Sequence, residues 1–469
     1  MSIDKVIIGA GFSGLLHGLS AIRAGQQVLL LERSQSPGGL IQSEEIYGIK
    51  FDSGAEAFSN VTPEFENWLS DLSLGSFVVK PNTKSPVILS KIGVHAIPQG
   101  VFGVPVSLDD SGLEFLGAPA LALARKLDAK PLPENLDELS VRELIDLRLG
   151  PAFTDSLVGP VISGVHGSLP EHLEARSVLG GLVKELKSKG SIVEAAKTLR
   201  GDKPAPGSAV ASFEGGMHLL VEKLVDEFVQ SGGTLRLGTD VSRITRLSDG
   251  QFEIEAGETI RARNLVIATT ANAAARMLVE FHELSVALQE IESLETLLVT
   301  VLVESPELNS FPIGTGALVA EDLGLAVKAT THINAKWEWL NDKLKKDQHL
   351  VRFSFRNSRK LDGIEQKSAI LESFDLIYGV KSPKLLGQVE VLWEDSLVKA
   401  SAGHLKRIER IRNLVEPLGI ELRGAYMSGN GLLGILKHEL ATREGDLIGT
   451  GIEGRGNQQH RSLHELDGA

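Results

Sequence analysis

A glycine-rich turn between a short β-type run and a helix is the feature that most constrains the fold of this chain. Val6-Ile7-Ile8 leads directly into Gly9-Ala10-Gly11-Phe12-Ser13-Gly14, a GxGxxG pattern, and residues 15–24 then predict a helix. Residues 28–31 predict a second strand that ends at Glu32. In such a βαβ unit the glycines allow a tight turn and close approach of a pyrophosphate, while the acid binds ribose hydroxyls. The pattern therefore predicts a dinucleotide site, with a ligand-free glycine-rich corner as the alternative.

Two later turns favour FAD over NAD as the dinucleotide. Residues 36–41 carry a second glycine pair, Gly38-Gly39, followed by Leu40, just past the acidic residue. Such a pair recurs in flavin oxidases, where the backbone again passes close to the cofactor. Residues 51–58, which include Gly54, resemble the next flavin-contacting turn of that superfamily. The order and spacing of these turns predict a flavin enzyme.

The acidic composition and the lack of cysteine exclude several classes of function. The formal net charge of −13 argues against general nucleic-acid binding, so an anionic ligand would need a local group of basic residues. Without cysteine there are no disulfides, thiolate nucleophiles or thiolate metal sites, and we predict no metal site. No run reaches the ~18–20 apolar residues of a spanning helix. Residues 101–123 predict a pair of core helices, with peripheral membrane contact as the alternative.

The order of predicted elements indicates a cofactor domain that is interrupted twice. Residues 203–208 form a Pro-rich linker signal, and the strands and helix that follow read as a return to the cofactor domain. We predict an α/β fold with α+β insertions: a discontinuous Rossmann-like FAD-binding domain, a mixed-sheet substrate domain and a helical insertion domain. The predicted bounds are 1–80, 205–285 and 406–450 for the FAD-binding domain, 81–100 and 286–405 for the substrate sheet, 101–204 for the helical domain, and 450–469 for a flexible tail.

Segments outside the dinucleotide fingerprint carry a family resemblance over residues 1–448. The chain resembles the oxygen-dependent protoporphyrinogen/coproporphyrinogen III oxidases of haem synthesis, within the monoamine-oxidase-like flavoproteins. Its C-terminal segment is most similar to the actinobacterial form. The segments that carry the resemblance are 95–100, 103–105, 160–167, 213–217, 314–319, 336–337, Trp393, 403–404 and 424–432.

Three positions depart from the pattern of this family. Ser59-Asn60-Val61 stands where many members have a basic residue soon after the Gly54 turn, a candidate partner for a substrate carboxylate. Val398 and Leu433 each stand where many members have proline. These departures bear on the substrate more than on the fold or the cofactor.

The resemblance implies a six-electron oxidation of a porphyrinogen by flavin, in three rounds, with oxygen giving hydrogen peroxide. It implies that glycine-rich backbone cradles the pyrophosphate, that Glu32 and Arg33 hold the ribose end, and that Val241 meets the adenine. No protein catalytic residue is predicted, because the cofactor carries the chemistry. The residues expected to bind FAD are Gly9, Ala10, Gly11, Phe12, Ser13, Gly14, Glu32, Arg33, Gly38, Gly39, Leu40, Gly54, Ala55, Glu56, Ala57, Val241, Trp393, Gly429, Gly431 and Leu432.

A porphyrinogen is apolar at its centre and anionic at its rim, so its pocket needs aliphatic walls and a few basic residues. The resemblance places the 160–167 segment on the substrate side as a loop, with an ordinary helix-ending turn as the alternative. His166 is a weak candidate for assisting proton release, with a hydrogen-bonded loop histidine as the alternative. The candidate substrate residues are Gly164, Val165, Gly167, Arg176, Lys328, Arg352 and Arg356.

The sequence leaves several alternatives open. The actinobacterial character and the lack of a spanning segment favour coproporphyrinogen III, with protoporphyrinogen IX as the alternative substrate. An amine or carotenoid oxidase and a non-catalytic porphyrin carrier remain rival hypotheses. We expect porphyrinogen and O2 as reaction partners, a cytoplasmic location, and a monomer or homodimer, with product hand-over to a ferrochelatase left open.

Overall fold

The structure, a computed structural model, describes residues 2–59, 62–201, 210–356 and 361–449. For residues 442–449 it describes the backbone alone. The predicted tail at 450–469, the Pro-rich linker at 203–208 and the departures at Asn60 and Val61 lie outside these residues.

The regular elements alternate between short strands and helices along the chain. The strands are β1 Ile3–Ile8, β2 Val28–Leu31, β3 Ser43–Ile46, β4 Ile49–Asp52, β5 Phe58–Ser59, β6 Val78–Val79, β7 Val87–Ser90, β8 Gly93–Ala96, β9 Gly100–Val101, β10 Val104–Pro105, β11 Val210–Phe213, β12 Thr234–Arg236, β13 Arg243–Arg246, β14 Phe252–Glu255, β15 Thr259–Ile267, β16 Ser293–Glu304, β17 Gly316–Val319, β18 Val327–His332, β19 Gln348–Phe355, β20 Lys384–Val398 and β21 Ile420–Leu422. The helices are α1 Phe12–Arg23, α2 Pro63–Asp71, α3 Ala118–Asp128, α4 Val141–Arg148, α5 Pro151–Phe153, α6 Gly159–His166, α7 Ala175–Val178, α8 Gly180–Lys189, α9 Ile192–Arg200, α10 His218–Gln230, α11 Ala271–Met277, α12 His282–Gln289, α13 Ile333–Lys336, α14 Gly363–Ser373, α15 His404–Val415, α16 Ala425–Ser428 and α17 Leu432–Gly449.

The first sheet has a parallel part of five strands, β12, β2, β1, β15 and β21, whose carboxyl ends lie at one edge. Its order is β12-β2-β1-β15-β14-β13, with β21 pairing parallel to β15. Both faces are covered, because consecutive residues Val6 and Ile7 of β1 pack into different cores. A parallel sheet buried on both faces binds ligands at the carboxyl ends of its strands. Gly9 and Glu32, which follow β1 and β2, lie at that edge.

The second sheet has one closed face and one open face. Its order is β20-β16-β19-β18-β17-β7-β8, and all of its pairs are antiparallel except β17 with β7. Val299, Val301 and Phe353 point to one side and form a core under α14. The alternate residues of β16, Leu294, Thr296 and Leu298, are only half-buried. We call their side of the sheet the front face; successive side chains of a strand point to opposite faces.

The part of the chain from α3 to α9 is helical and follows β10 in the sequence. It has a core of its own, which includes Leu144, Phe153 and Leu182. α6 packs from this segment onto β17 and β18 of the second sheet. The division of the chain into three domains stays a prediction.

Local structure differs from the sequence expectation at two places. The segment 160–167, expected as a loop, is α6 up to His166, and only Gly167 turns, with φ +70°. A 3₁₀ helix at Ser111–Leu116 and the start of α3 supply part of the pair of core helices expected over 101–123, but residues 100–105 form the β9–β10 hairpin around Phe102 and Gly103, both at positive φ. A turn of this kind cannot continue a helix. Within the described ranges, no helix is both long enough and apolar enough to cross a bilayer.

Candidate functional site

Glycine backbone forms the crevice at the carboxyl edge of the first sheet. Gly9 has φ +101°, and a Cβ there would lie 2.7 Å from the carbonyl oxygen of Ala268. A Cβ on Gly14 would clash with the carbonyl oxygen of Gly9, so the strand end and α1 approach closely only with glycine. Gly38 donates its N–H to the Ala10 carbonyl at 2.8 Å, which brings the second glycine pair against the start of α1.

Glu32 closes the end of this crevice. Its carboxylate accepts hydrogen bonds from the N–H groups of Ala10 at 2.8 Å and Ser34 at 2.9 Å. It thereby links the glycine turn to the end of β2, and the neighbouring Arg33 is exposed. An acid held at this strand end has the position that ribose recognition requires.

The Gly54 turn brings a residue of the second sheet to the same place. A Cβ on Gly54 would lie 3.1 Å from Cζ2 of Trp393, which belongs to β20. The indole N–H of Trp393 donates to the carbonyl oxygen of Ser53 at 3.0 Å. Trp393 pairs in register with Thr296, so its side chain lies on the front face. The turn therefore joins the glycine crevice to the front face of the second sheet.

A buried group of charges fixes this turn to the second sheet. Glu56 forms ion pairs with Lys336 and with Arg352, whose Nη1 lies 3.2 Å from Oε2. Arg352 also donates to the carbonyl oxygens of Asp52 and Gly54. Burial alone would raise the pKa of Glu56, but the two cations beside it hold that pKa below its usual range.

The pKa of Asp52, at the end of β4, is shifted in the opposite direction, above its usual range. Its carboxylate accepts the N–H of Met217 at 2.9 Å. Burial raises the pKa of Asp52 to about 7, and the attraction of Arg352 only partly offsets this rise. Asp52 therefore titrates near neutral pH in the folded protein.

The front face carries a second buried cation, Lys328 of β18, which is 9% exposed. A register shift between Val327 and Ala329 places it in a bulge. Its Nζ lies 3.8 Å from the position that a Cβ on Gly167 would occupy, beside Leu294 and Leu397. Burial, with the nearby charge of Arg356, lowers the pKa of Lys328 to about 8. No carboxylate in the described residues forms an ion pair with its ammonium group.

The sequence of residues 12–304 matches the family described as flavin-containing amine oxidoreductases, which is more than half of the chain. The chain belongs to this family. Membership of a flavin-containing family, together with the dinucleotide crevice, makes FAD the cofactor and confirms the prediction of FAD over NAD. The resemblance to monoamine-oxidase-like flavoproteins and the α/β fold are also confirmed.

Two relatives that align over most of their length are both named coproporphyrinogen III oxidase. A coproporphyrinogen III oxidase from Mycobacterium leprae is 26% identical over 449 residues, which cover 91% of this chain and 94% of that protein. One from Bacillus subtilis is 22% identical over 450 residues and covers 92% and 94%. A chloroplastic protoporphyrinogen oxidase from Nicotiana tabacum is 24% identical over 298 residues, 59% of this chain and 52% of that protein.

Solved structures share the fold. A crystal structure from Exiguobacterium sp. 255-15 has a TM-score of 0.81 at 23% identity, and the match covers 96% of this chain and 99% of that one. Cyclohexylamine oxidase from Brevibacterium oxydans IH-35A has a TM-score of 0.66 at 17% identity, covering 95% and 100%.

The residues at the crevice fit the family's flavin. Gly9, Gly14 and Gly54 let the backbone segments around the crevice approach closely, and Gly11, where a Cβ would meet only the Cα of Gly39 at 3.8 Å, leaves open space beside the glycine turn. The start of α1 points N–H groups towards this turn. Residues at the crevice or in contact with it are Ala10, Gly11, Phe12, Ser13, Glu32, Gly38, Gly39, Leu40, Ala55 and Trp393.

Other predicted residues have different surroundings in this flavoprotein fold. Val241 is buried in the core of the first sheet beside Ile244. Arg352 is occupied by the Gly54 turn, and Arg356 donates to the carbonyl oxygens of Val319 and Leu325. Arg176 is exposed on α7. Of the basic residues predicted to meet a substrate, Lys328 is the one that lies buried on the front face without a carboxylate partner among the residues described.

The end of α6 covers the front face near Lys328. A Cβ on Gly164 would lie 2.5 Å from Cδ2 of Leu318, so α6 lies directly on the sheet, while Val165 is 53% exposed. The His166 ring packs against Phe102, and burial lowers the pKa of His166 to about 4. A neutral imidazole is able to accept a proton, but nothing in its surroundings raises its basicity.

Sequence reasoning missed the long-range partners in this site. Glu56 was predicted beside the cofactor, but its pairing with Lys336 has no signal in local spacing. A second buried cluster was missed entirely: Glu439 of α17 lies 3.0 Å from Nδ1 of His17 in α1, and Lys5 lies 3.0 Å from Glu421. Local pattern gave no signal for this cluster, because Glu439 follows Lys437 and His438 in a mixed stretch of α17.

Proposed function

We propose that the protein oxidises coproporphyrinogen III to coproporphyrin III in haem biosynthesis. In this reaction the substrate loses six hydrogen atoms in three two-electron steps. Each step reduces one O2 to H2O2, so that three O2 and three H2O2 balance the oxidation. In this proposal the reaction takes place in the cytoplasm, and a ferrochelatase takes up the product.

One observation carries the proposal: a buried cation without a carboxylate partner in the described chain lies on an open, mainly apolar sheet face. Leu294 and Leu397 flank Lys328 there, and Leu298 and Trp393 continue the same face towards the Gly54 turn. An aliphatic wall suits the tetrapyrrole ring, and a single desolvated ammonium group suits one rim carboxylate. Substrate and cofactor could thus meet on one face.

The protein's own residues bind and orient the substrate in this proposal, and bound FAD supplies the acceptance of electron pairs. Lys328 holds one carboxylate, while Leu318 and the end of α6 exclude water from the ring. Trp393 is fixed by its bond to Ser53 and presents a flat surface beside the Gly54 turn. The oxidation ends in an aromatic product, so no strong protein base is required.

The relatives support this substrate class. The names of the M. leprae and B. subtilis proteins state coproporphyrinogen III oxidase activity, and both align with more than nine tenths of this chain. Protoporphyrinogen IX is the alternative substrate. The name of the tobacco relative favours it, but that protein aligns with a smaller part of this chain. Coproporphyrinogen III has four carboxylates and protoporphyrinogen IX has two.

An amine substrate fits the same face poorly. An ammonium group next to Lys328 would meet a like charge at a desolvated position, which is unfavourable. Amine oxidases tend to place two aromatic side chains about the substrate. Trp393 is available here, but Tyr426 is buried in the core of the first sheet at 2% exposure.

Anaerobic titration of the flavin tests the proposal. Coproporphyrinogen III, protoporphyrinogen IX and a primary amine are added separately to the purified flavoprotein, and the absorbance near 450 nm is followed. We expect the fastest bleaching with coproporphyrinogen III, and air should restore the absorbance with release of H2O2. Tight porphyrinogen binding without bleaching would contradict an oxidase and favour the porphyrin-carrier hypothesis. Bleaching by the amine alone would contradict a porphyrinogen substrate and favour an amine oxidase.

A further inference from the structure

The side chain of Asn430 makes two hydrogen bonds to a single residue of β20. The N–H of Val398 donates to its Oδ1 at 2.9 Å, and its Nδ2 donates to the carbonyl oxygen of Val398 at 3.1 Å. The amide thus reproduces the paired bonds that a neighbouring strand would make. We call this pair of bonds the Asn430 clamp.

The clamp acts on a segment whose backbone is otherwise bonded, within the described residues, only to its own flanking helices: the N–H of Gly429 donates to the Ala425 carbonyl at 2.8 Å, and the N–H of Ile435 donates to the Gly431 carbonyl at 3.2 Å. Gly429 and Gly431 flank Asn430, and Gly429 has φ +90°, a conformation that favours glycine. A Cβ on either glycine would meet nothing within 4 Å, so open space borders the backbone here. Two glycines raise the flexibility of the chain, and a side-chain bond from the residue between them reduces it.

Val398 supplies both backbone groups of the clamp, its N–H and its carbonyl oxygen. Proline has no N–H to donate. With proline at this position the bond to Asn430 Oδ1 would be missing. The clamp therefore depends on two residues of this chain, Asn430 and Val398, that are far apart in sequence.

The clamp lies next to elements of the candidate site. β20 also carries Trp393, which contacts the Gly54 turn, and Leu397 on the front face. α17 begins two residues after Asn430 and packs against α1 and β5. Farther along α17, Glu439 binds His17. The clamp holds the start of α17 to the second sheet. Glu439 holds the same helix to α1, which packs against β1 and β2 of the first sheet.

We infer that Asn430 is a positioning residue for the cofactor: the clamp fixes residues 429–432 against β20 and so sets the shape of the flavin end of the site. The inference rests on the flavin family, on the packing of Leu432 against the buried core that includes Ala10 and Phe12 of the glycine turn, and on the prediction that Gly429, Gly431 and Leu432 approach the flavin ring. It does not depend on which substrate is oxidised.

Three variants test the clamp. N430A removes both bonds, V398P removes the N–H donor and keeps the carbonyl, and N430D keeps the acceptor for Val398 but loses the donor. N264A serves as the control, since this amide donates to the Asp4 carbonyl at the surface of the first sheet. Each apoprotein is titrated with FAD, and the flavin absorption spectrum and reduction potential of the reconstituted protein are measured.

We expect about fivefold weaker FAD binding in N430A, with a shifted visible spectrum and potential, because two hydrogen bonds are lost. V398P and N430D should lie between N430A and the native protein, and the N430A/V398P double variant should match N430A, as coupled residues do. N264A should leave all three quantities unchanged.

Unchanged affinity, spectrum and potential in folded N430A would overturn the inference. It would also fail if N430A weakened FAD binding while V398P had no effect, because the bond to Val398 would then not be the cause. Circular dichroism of each variant separates these outcomes from unfolding. Porphyrinogen is absent from all these measurements, so failure of the proposed function leaves the result interpretable.

Discussion

Two buried cations on the same face of the second sheet have opposite surroundings. Arg352 is 7% exposed, and its guanidinium binds Glu56 and the backbone of the Gly54 turn. Lys328 is 9% exposed, and burial lowers its pKa instead of an acid raising it. Each cation loses hydration on folding, but only Arg352 regains an opposite charge from its own chain.

The contrast supports the proposal that Arg352 serves the fold and Lys328 serves a ligand. A buried ion pair keeps two segments in register, as Arg352 and Glu56 do for β19 and the Gly54 turn. A buried cation without an acid weakens the folded state, and a protein retains it where an anionic ligand compensates. Both residues were candidates for substrate binding, and their surroundings now separate them.

The largest effect is expected from breaking the paired cation. In Glu56→Gln, Lys336 and Arg352 remain buried without a negative charge, so we expect the free energy of unfolding to fall by about 3 kcal/mol. Urea unfolding at neutral pH measures the loss. Glu44→Gln, at an exposed position of β3, is the control and should change little. A loss below about 1 kcal/mol for Glu56→Gln would mean that the pair is not structural.

The unpaired cation should show the reverse pattern. We expect Lys328→Met to keep or increase stability and to raise the KM for coproporphyrinogen III about 10- to 100-fold, as loss of a charged hydrogen bond does. Because the pKa of Lys328 is about 8, native KM should rise as pH increases through that value, and the variant should lack this rise.

Lys184→Met removes an exposed cation of α8 and is the matched control. Stability gives a second comparison. The folded pKa of Lys328 lies below the ordinary value of 10.5, so its charge destabilises the fold below about pH 8, and stability should increase between about pH 8 and 10.5. A destabilised Lys328→Met with unchanged KM would show that the two cations do not differ as described.

The last prediction concerns Asp52, which lies beside the paired cation. Its folded pKa of about 7 exceeds the ordinary value of 3.8, so the folded state keeps a proton that the unfolded state releases. This group therefore lowers stability as pH rises from about 4 to 7, and Asp52→Asn should remove that part of the slope. Urea unfolding across this pH range checks it, and parallel curves for both proteins would contradict it.

Local pattern was sufficient to predict the glycine crevice. Gly9, Gly14, Gly38 and Gly54 each meet backbone that a side chain would displace, and such positions are written in the sequence as glycine at fixed spacing. Glu32 followed because the end of a strand places one residue at the sheet edge. The Rossmann-like domain followed from the same unit, and the FAD cofactor followed from the two later turns at 36–41 and 51–58.

Partners that are distant in sequence could not be predicted. Lys336 and Arg352 are hundreds of residues from Glu56 in the sequence. Asn430 meets Val398 because the connection between α16 and α17 lies beside the end of β20. Segment 160–167 was expected as a loop because it resembles a family loop, but it forms the end of α6, since proline is well tolerated in the first turn of a helix. The alternative expectation, a helix-ending turn, describes Gly167, and the packing of α6 on Leu318 brings Gly164 against the sheet.

The cluster of Lys5, His17, Glu421 and Glu439 has a consequence for the order in which the protein is made. During synthesis the first βαβ unit leaves the ribosome long before β21 and α17 exist. Lys5, which is 7% exposed in the folded protein, forms an ion pair with Glu421, which lies more than four hundred residues later in the sequence. The nascent cofactor sheet therefore lacks β21, and the four residues of the cluster can meet only after β21 and α17 have been synthesised.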